Sequence, residues 1–202
     1  AISPVLQIAL RSGAAAVLLA LLMWIKREKP VELAASWRPG LLAGALFALE
    51  YVLLGAGLLY TSAAHAVVFL YTGPLFVALG LHFKLPDERL APLQWLGVAL
   101  AFGGIAVAFA LDAPAAGAGG IHGLLGDALC LAAGAAWGAT TVVVRCSNLG
   151  RLPATQVVLY QLSTAAVLLA LAAICLGQTV FVATPLAIGN LVFQVLIVSF
   201  AS

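Results

Sequence analysis

The chain has 202 residues, of which 64% are hydrophobic and only 8% charged, and its net charge is +2. Soluble domains carry about 25% charged residues, so a water-surrounded globule is excluded. So small a net charge, with no basic run longer than Lys26 to Lys29, gives no reason to expect a nucleic-acid partner.

Apolar runs of about twenty residues recur between short polar breaks, and at roughly 1.5 Å per residue each run is long enough to cross a hydrocarbon layer about 30 Å thick. Lipid offers no partner to a bare amide, so each crossing is a helix or part of a closed barrel. Barrel strands alternate polar and apolar residues, whereas 63–83 and 93–111 are apolar on all sides. The fold class expected is all-α membrane: a polytopic helical bundle of about seven transmembrane helices.

The first crossing, 4–25, carries Arg11 about seven residues from its first end. The break KREKPVELAASWRP follows, with Trp24 and Trp37 where an interfacial aromatic belt belongs. The second crossing, 40–60, holds Glu50 about ten residues from its far end. Those depths differ by only about 5 Å, so Arg11 and Glu50 are expected to pair or to share a water-filled cavity. An ionisable group in the bilayer costs several kcal/mol and has a partner or a task. The plain alternative has Arg11 snorkelling outward and Glu50 as a protonated packing acid.

The third crossing, 63–83, contains Pro74. Proline lacks an N–H and frees the carbonyl four residues back, that of Leu70, so a helix kink is expected at Gly73 and Pro74. Gly73 admits a close neighbour, and Tyr71 and Thr72 share the turn. The kink either lines a binding cavity or only shapes packing. His65, on one face with Phe69 and Thr72, is expected to be an interfacial histidine bonded to a nearby carbonyl or else a pH sensor; His82 is expected at the interface and His122 in a loop.

The fourth crossing is 92–111 and the fifth 124–145. Asp127 is expected to cap the fifth helix, and Trp137, between Gly134 and Gly138, to wall a cavity or mark close helix packing. The sixth crossing, 154–176, presents Gln156, Tyr160 and Ser163 at helical spacing beside Gln161 and Thr164. The seventh, from 186 onward, has Asn190 and Gln194 four apart. Such polar stripes turn away from lipid, to bind a solute or to join helices.

Counting breaks from one, the odd ones hold Lys26, Arg27, Lys29, Arg38, Lys84, Arg89, Arg145 and Arg151, and the even ones hold no lysine or arginine. The positive-inside rule puts the odd breaks in the cytoplasm and the first residue outside. Cys130, Cys146 and Cys175 form no CxxC pair and have no histidines at metal spacing. No HExxH, GxSxG or Walker pattern is present, so neither an enzyme nor a cofactor is expected.

Pro4 to Leu21 resembles Pro153 to Leu171 once one gap is allowed: Pro4 matches Pro153, Gln7 matches Gln156, Leu10 matches Leu159, and AVLLAL recurs from Ala16 and from Ala166. These are the first and sixth crossings, which run in opposite directions. An inverted repeat of five helices is the reading; chance agreement of Ala/Leu-rich strings is the alternative.

The stretch from Tyr60 to Phe109, with Pro74 in mid-span, Glu88 in a short acidic loop, then Gln94, Trp95 and Gly97, resembles the EamA-type drug/metabolite transporter superfamily. Gly126 to Arg145, with Asp127 and Trp137, is similar to the start of that family's second half. The resemblance implies ten helices in two inverted halves, here 1–115 as a first repeat lacking its first helix and 116–202 as a truncated second repeat. It also implies a secondary transporter moving a small metabolite, amino-acid-like or another organic solute, across a bacterial inner membrane by alternating access. Arg11, Glu50, Tyr71, Thr72, Trp137, Tyr160, Gln161 and Asn190 are the candidate substrate contacts. Protons are a candidate coupling ion, and the lipid bilayer and a second copy of the chain are candidate partners. A lipophilic-cation exporter and a non-transporting scaffold are the other readings.

Overall fold

The computed structural model describes residues 3–28, 33–111, 121–177 and 185–195. Every element longer than a single turn among them is a helix. In chain order these are α1 (Pro4–Ile25), α2 (Leu33–Gly57), α3 (Ala63–Leu70), α4 (Gly73–Lys84), α5 (Pro92–Leu111), α6 (Ile121–Cys146), α7 (Ala154–Cys175) and α8 (Pro185–Phe193). Five spans are long and apolar enough to cross a membrane: Val5–Ile25, Ala35–Gly57, Ala63–Lys84, His122–Cys146 and Ala154–Cys175. α3 and α4 together make the third of these, and α5 is apolar throughout Pro92–Ile105.

Two expected boundaries move. The second crossing begins at Leu33 rather than near residue 40, because Pro39 lies inside α2 instead of ahead of it. The fifth begins at Ile121, which places His122 in the first turn of a helix and not in a loop. Of the seventh crossing, Pro185–Phe193 is helical, and its remainder from residue 196 lies outside the described residues, as does the connector 112–120.

The side chains are distributed as lipid would have them. Buried positions are mostly small, among them Ala15, Ala43, Ala133, Ala165 and Ala173, while Val17, Trp24, Leu100, Val167 and Ile174 are exposed. Hydrocarbon is as apolar as leucine, so helices gain nothing by hiding leucine from it; small residues at the contacts let backbones approach and gain dispersion.

The chain groups into two compact units, Ala1–Tyr51 with Val143–Ser202, and Val52–Val142, whose boundaries fall within α2 and α6. This is a grouping by packing, separate from the expected repeat boundary at 115–116.

In the first unit α1 and α7 form an extensive contact. Gly13 meets Ala166 at mid-helix, and Thr155 donates to the Glu28 carboxylate at 2.9 Å. Moving up α1 thus means moving down α7, and the pair is antiparallel. α2 lies along α7 in the parallel sense through Ser36, Gly40, Gly44 and Ala48, a small residue every fourth position on one face. Ser36 and Gly40 receive Tyr160, and Gly44 receives Thr164.

The second unit repeats the device on α6, where Gly126, Cys130, Gly134 and Gly138 face α3, α4 and their flanks. A Cβ on Gly126 would stand 2.8 Å from the Thr61 nitrogen, and one on Gly134 2.7 Å from the Phe69 carbonyl. α5 closes against α4 through Phe76 with Phe102, ring centroids 6.1 Å apart.

Candidate functional site

In the first unit, α1 brings Arg11 and α2 brings Glu50 to one place. Glu50 is 7% exposed and lies within electrostatic reach of Arg11. The Arg11 guanidinium sits 5.0 Å from the centre of the Tyr51 ring, and Phe47 meets that ring edge-on at 5.0 Å. Among the described residues, Arg11 Nε, Glu50 Oε2 and the neighbouring Ser12 Oγ are buried without a hydrogen-bond partner. A buried polar atom left unpaired costs about 1–3 kcal/mol, and such atoms in a native fold have a reason. Chemically the place offers a donor fork fit for a carboxylate or phosphate beside an acceptor fit for an ammonium or a proton.

Tyr51 was not among the sequence candidates. Its signal was spacing: on antiparallel helices a ring adjacent to Glu50 falls at the depth of Arg11, and arginine prefers an aromatic face to bare lipid.

The first unit also pairs Ser36 Oγ with Tyr160 OH at 3.1 Å. Ser36 precedes Glu50 by fourteen positions on α2, about 21 Å along the axis, so Tyr160 does not belong to the Arg11 and Glu50 place. Gln161 is half-buried beside it. Asn190, exposed on α8, accepts from Gln194 Nε2 at 3.2 Å, which accounts for the polar pair as a mutual bond.

The second unit gathers Tyr71, Thr72, Gly73, Pro74 and Trp137. Helix α3 ends at Leu70 and α4 starts at Gly73 with Pro74 in its first turn. Thr72 Oγ1, 1% exposed, donates to the Phe69 carbonyl at 2.6 Å and so satisfies one of the groups the break releases. The Trp137 ring lies directly on Gly73 and meets the 68% exposed Tyr71 edge-on at 6.4 Å. Gly134 and Gly138 pass against the Leu70 and Gly73 carbonyls at 3.2 and 3.0 Å from a would-be Cβ. The helix break and an aromatic wall therefore share one mid-span turn.

Asp127 corrects an expectation. It lies in the second turn of α6, and instead of capping the helix it accepts from Thr61 Oγ1 at 2.5 Å and stands 3.3 Å from His65 Nδ1. Next to it, His122 stacks on Tyr60 with ring centroids 6.1 Å apart. The start assigned to the helix from sequence was three residues late, and the error turned a partner into a cap. Among the described residues no group of histidine, cysteine and carboxylate side chains could hold a metal.

The residues from Glu88 to Trp95 form a brace. The Leu90 amide donates to His82 Nδ1 at 2.8 Å, the Ala91 amide donates to Gln94 Oε1 at 2.8 Å, and His82 meets Trp95 edge-on at 5.2 Å.

Apolar spans faced by large residues, packed through small ones, and an arginine and glutamate couple with buried polar atoms inside them define a multi-pass helical membrane protein. Residues 1–110 match the model of the EamA-like transporter family. That is more than half of the chain, and the chain belongs to this family: it is a membrane transporter of the drug/metabolite transporter superfamily. Comparisons with curated proteins and with solved structures gave no match.

Proposed function

We propose that this chain carries out secondary transport of a small zwitterionic solute, amino-acid-like in its charges, across a bacterial inner membrane. Arg11 receives the solute's carboxylate and Glu50 its ammonium, or a proton when the solute is absent. The observation that carries this reading is the pair of buried atoms, Arg11 Nε and Glu50 Oε2, that lack partners although they lie on adjacent helices within electrostatic reach. A closed ion pair needs no ligand; two half-satisfied groups of opposite charge suit a molecule carrying both.

Alternating access by inverted halves, 1–115 and 116–202, is the mechanism we infer. Its support is the α1 and α7 pair. In the repeat register Ala14 and Ala15 correspond to Thr164 and Ala165, and these are the middle residues of both 22-residue helices. Gly13 meeting Ala166 sets the two helices antiparallel about those midpoints, which supports a two-fold relation between them. Tyr71, Thr72 and Trp137 form the wall at the broken third span, and half-helix ends of this kind suit ion and solute binding in transporters.

Uptake by proteoliposomes, screened over zwitterionic, anionic and lipophilic cationic solutes, tests the reading. The wild type should accumulate a zwitterion under a pH gradient, Arg11→Gln should lose uptake by at least about tenfold, consistent with loss of a charged hydrogen bond, and Glu50→Gln should lose its pH dependence. Full activity of Glu50→Gln with an unchanged pH profile removes that residue from the mechanism. Preference for lipophilic cations favours the exporter, against which Arg11 argues by repulsion, and absence of uptake favours a scaffold.

A further inference from the structure

Within the second unit, a cavity of about 440 Å³ opens between α4, the acidic loop and the first turn of α5. Its apolar wall is Pro74, Val77, Ala78 and Leu81, which at spacings of three and four share one face of α4. Its polar rim is Asp87, Glu88 and Arg89, just beyond Lys84, the last residue of that span. From Pro74 to Lys84 the helix rises about 15 Å, half the hydrocarbon thickness. The cavity therefore runs from headgroup depth to mid-membrane, with charge at one end and hydrocarbon surface at the other.

We propose that this groove is a binding site for a phospholipid with a primary-ammonium headgroup, phosphatidylethanolamine in chemical terms. One acyl chain lies along the α4 face, the ammonium reaches Asp87, and the phosphate reaches Arg89. The choice follows from where selectivity can arise. A bilayer tail is as apolar as the groove, so the tail contact does not favour one lipid over another. Discrimination falls to the rim, which carries two carboxylates and one guanidinium. That set attracts a headgroup bearing an ammonium and one phosphate and disfavours an anionic headgroup with no cation. A quaternary ammonium supplies charge without N–H donors and is the poorer fit for carboxylate acceptors. The brace made by His82, Gln94 and Trp95 holds the loop in place, so the rim is positioned before lipid arrives.

The test is retention of lipid by the purified full chain after exchange into detergent containing equal amounts of dioleoyl phosphatidylethanolamine, phosphatidylglycerol and phosphatidylcholine, read by mass spectrometry of the intact complex. The wild type should retain the ethanolamine lipid over each of the others by about two- to fivefold, the range that exposed ion pairs supply. Asp87→Asn and Arg89→Gln, both at exposed loop positions, should bring the ratio close to one. Ala78→Leu should lower retention of all three lipids, with the unfolding temperature of each variant measured alongside. Equal retention of the three lipids by the wild type overturns the proposal. So does a preference that survives both charge substitutions, or retention untouched by Ala78→Leu. Displacement of the lipid by a transported solute would make the groove a solute vestibule and likewise overturn it.

Discussion

Asp127 is held by Thr61, just ahead of α3, and by His65 in its first turn, and it is 9% exposed. A carboxylate in that position depends on its donors. Thr61→Val keeps the shape and removes the O–H, so the fold should lose about 1–3 kcal/mol, seen as a lower unfolding temperature in detergent. Asp127→Asn, which can still accept from Thr61, should lose less. The residues of this cluster were visible in the sequence singly, and what was missing was their adjacency: it depends on α3 and α6 running parallel, a relation between helices that no local pattern encodes. Arg11 and Glu50 were legible because depth can be counted from a helix end. Tyr51 carries no charge to mark it in the sequence, yet removing its ring by Tyr51→Leu should cost the Arg11 guanidinium a contact of about 0.5–2 kcal/mol and should lower solute affinity more than fold stability.

At the scale of elements, length and apolarity were enough to find the spans, because twenty apolar residues have few alternatives to a membrane helix. The polar residues up to Pro39 mark a break by composition, yet α2 starts at Leu33 and carries Pro39 inside it. Residues 33–38 precede it in the helix all the same; Ser36 is buried against Tyr160, and the Arg38 guanidinium lies 5.2 Å from the centre of the Trp37 ring. The two seams of small residues were only half legible. Gly134 and Gly138 were noted from sequence, while Ser36, Gly40, Gly44 and Ala48 were hidden among many alanines and glycines.

These seams make a sharp prediction about glycines. Gly134→Ala places a methyl against the Phe69 carbonyl and Thr72 Oγ1 at 2.7 Å, and backbone there cannot yield cheaply. Overpacking of this kind costs about 1–3 kcal/mol. Gly104→Ala, on α5 with nothing within 4 Å, should be neutral or stabilising by up to about 1 kcal/mol, since alanine is the better helix former. Thermal unfolding of the two variants in one detergent checks the contrast, and equal effects would mean that the α6 seam is not tightly closed.

For the whole molecule, the decisive relation is that α1 and α7, which carry the similar sequences, run in opposite directions and meet at their centres. The sequence match suggested the opposition through a count of crossings, but it carried no information that the two segments touch. Contact between segments about 150 residues apart in the chain rests on helix surfaces matching in three dimensions, here Gly13 leaving room for Ala166. The most direct test is a disulfide. A Cβ on Gly13 would stand 3.7 Å from that of Ala166, which suits a bridge, whose Cβ atoms lie about 3.8 Å apart. The measurement uses the full chain in its membrane, with Cys130, Cys146 and Cys175 replaced by alanine, Gly13→Cys and Ala166→Cys introduced, and a protease site inserted in the 112–120 connector. Mild oxidation should join the two halves so that they stay together after cleavage until reduced. Halves that separate without reductant, although both thiols react with a small membrane-permeant maleimide, would contradict the contact between α1 and α7.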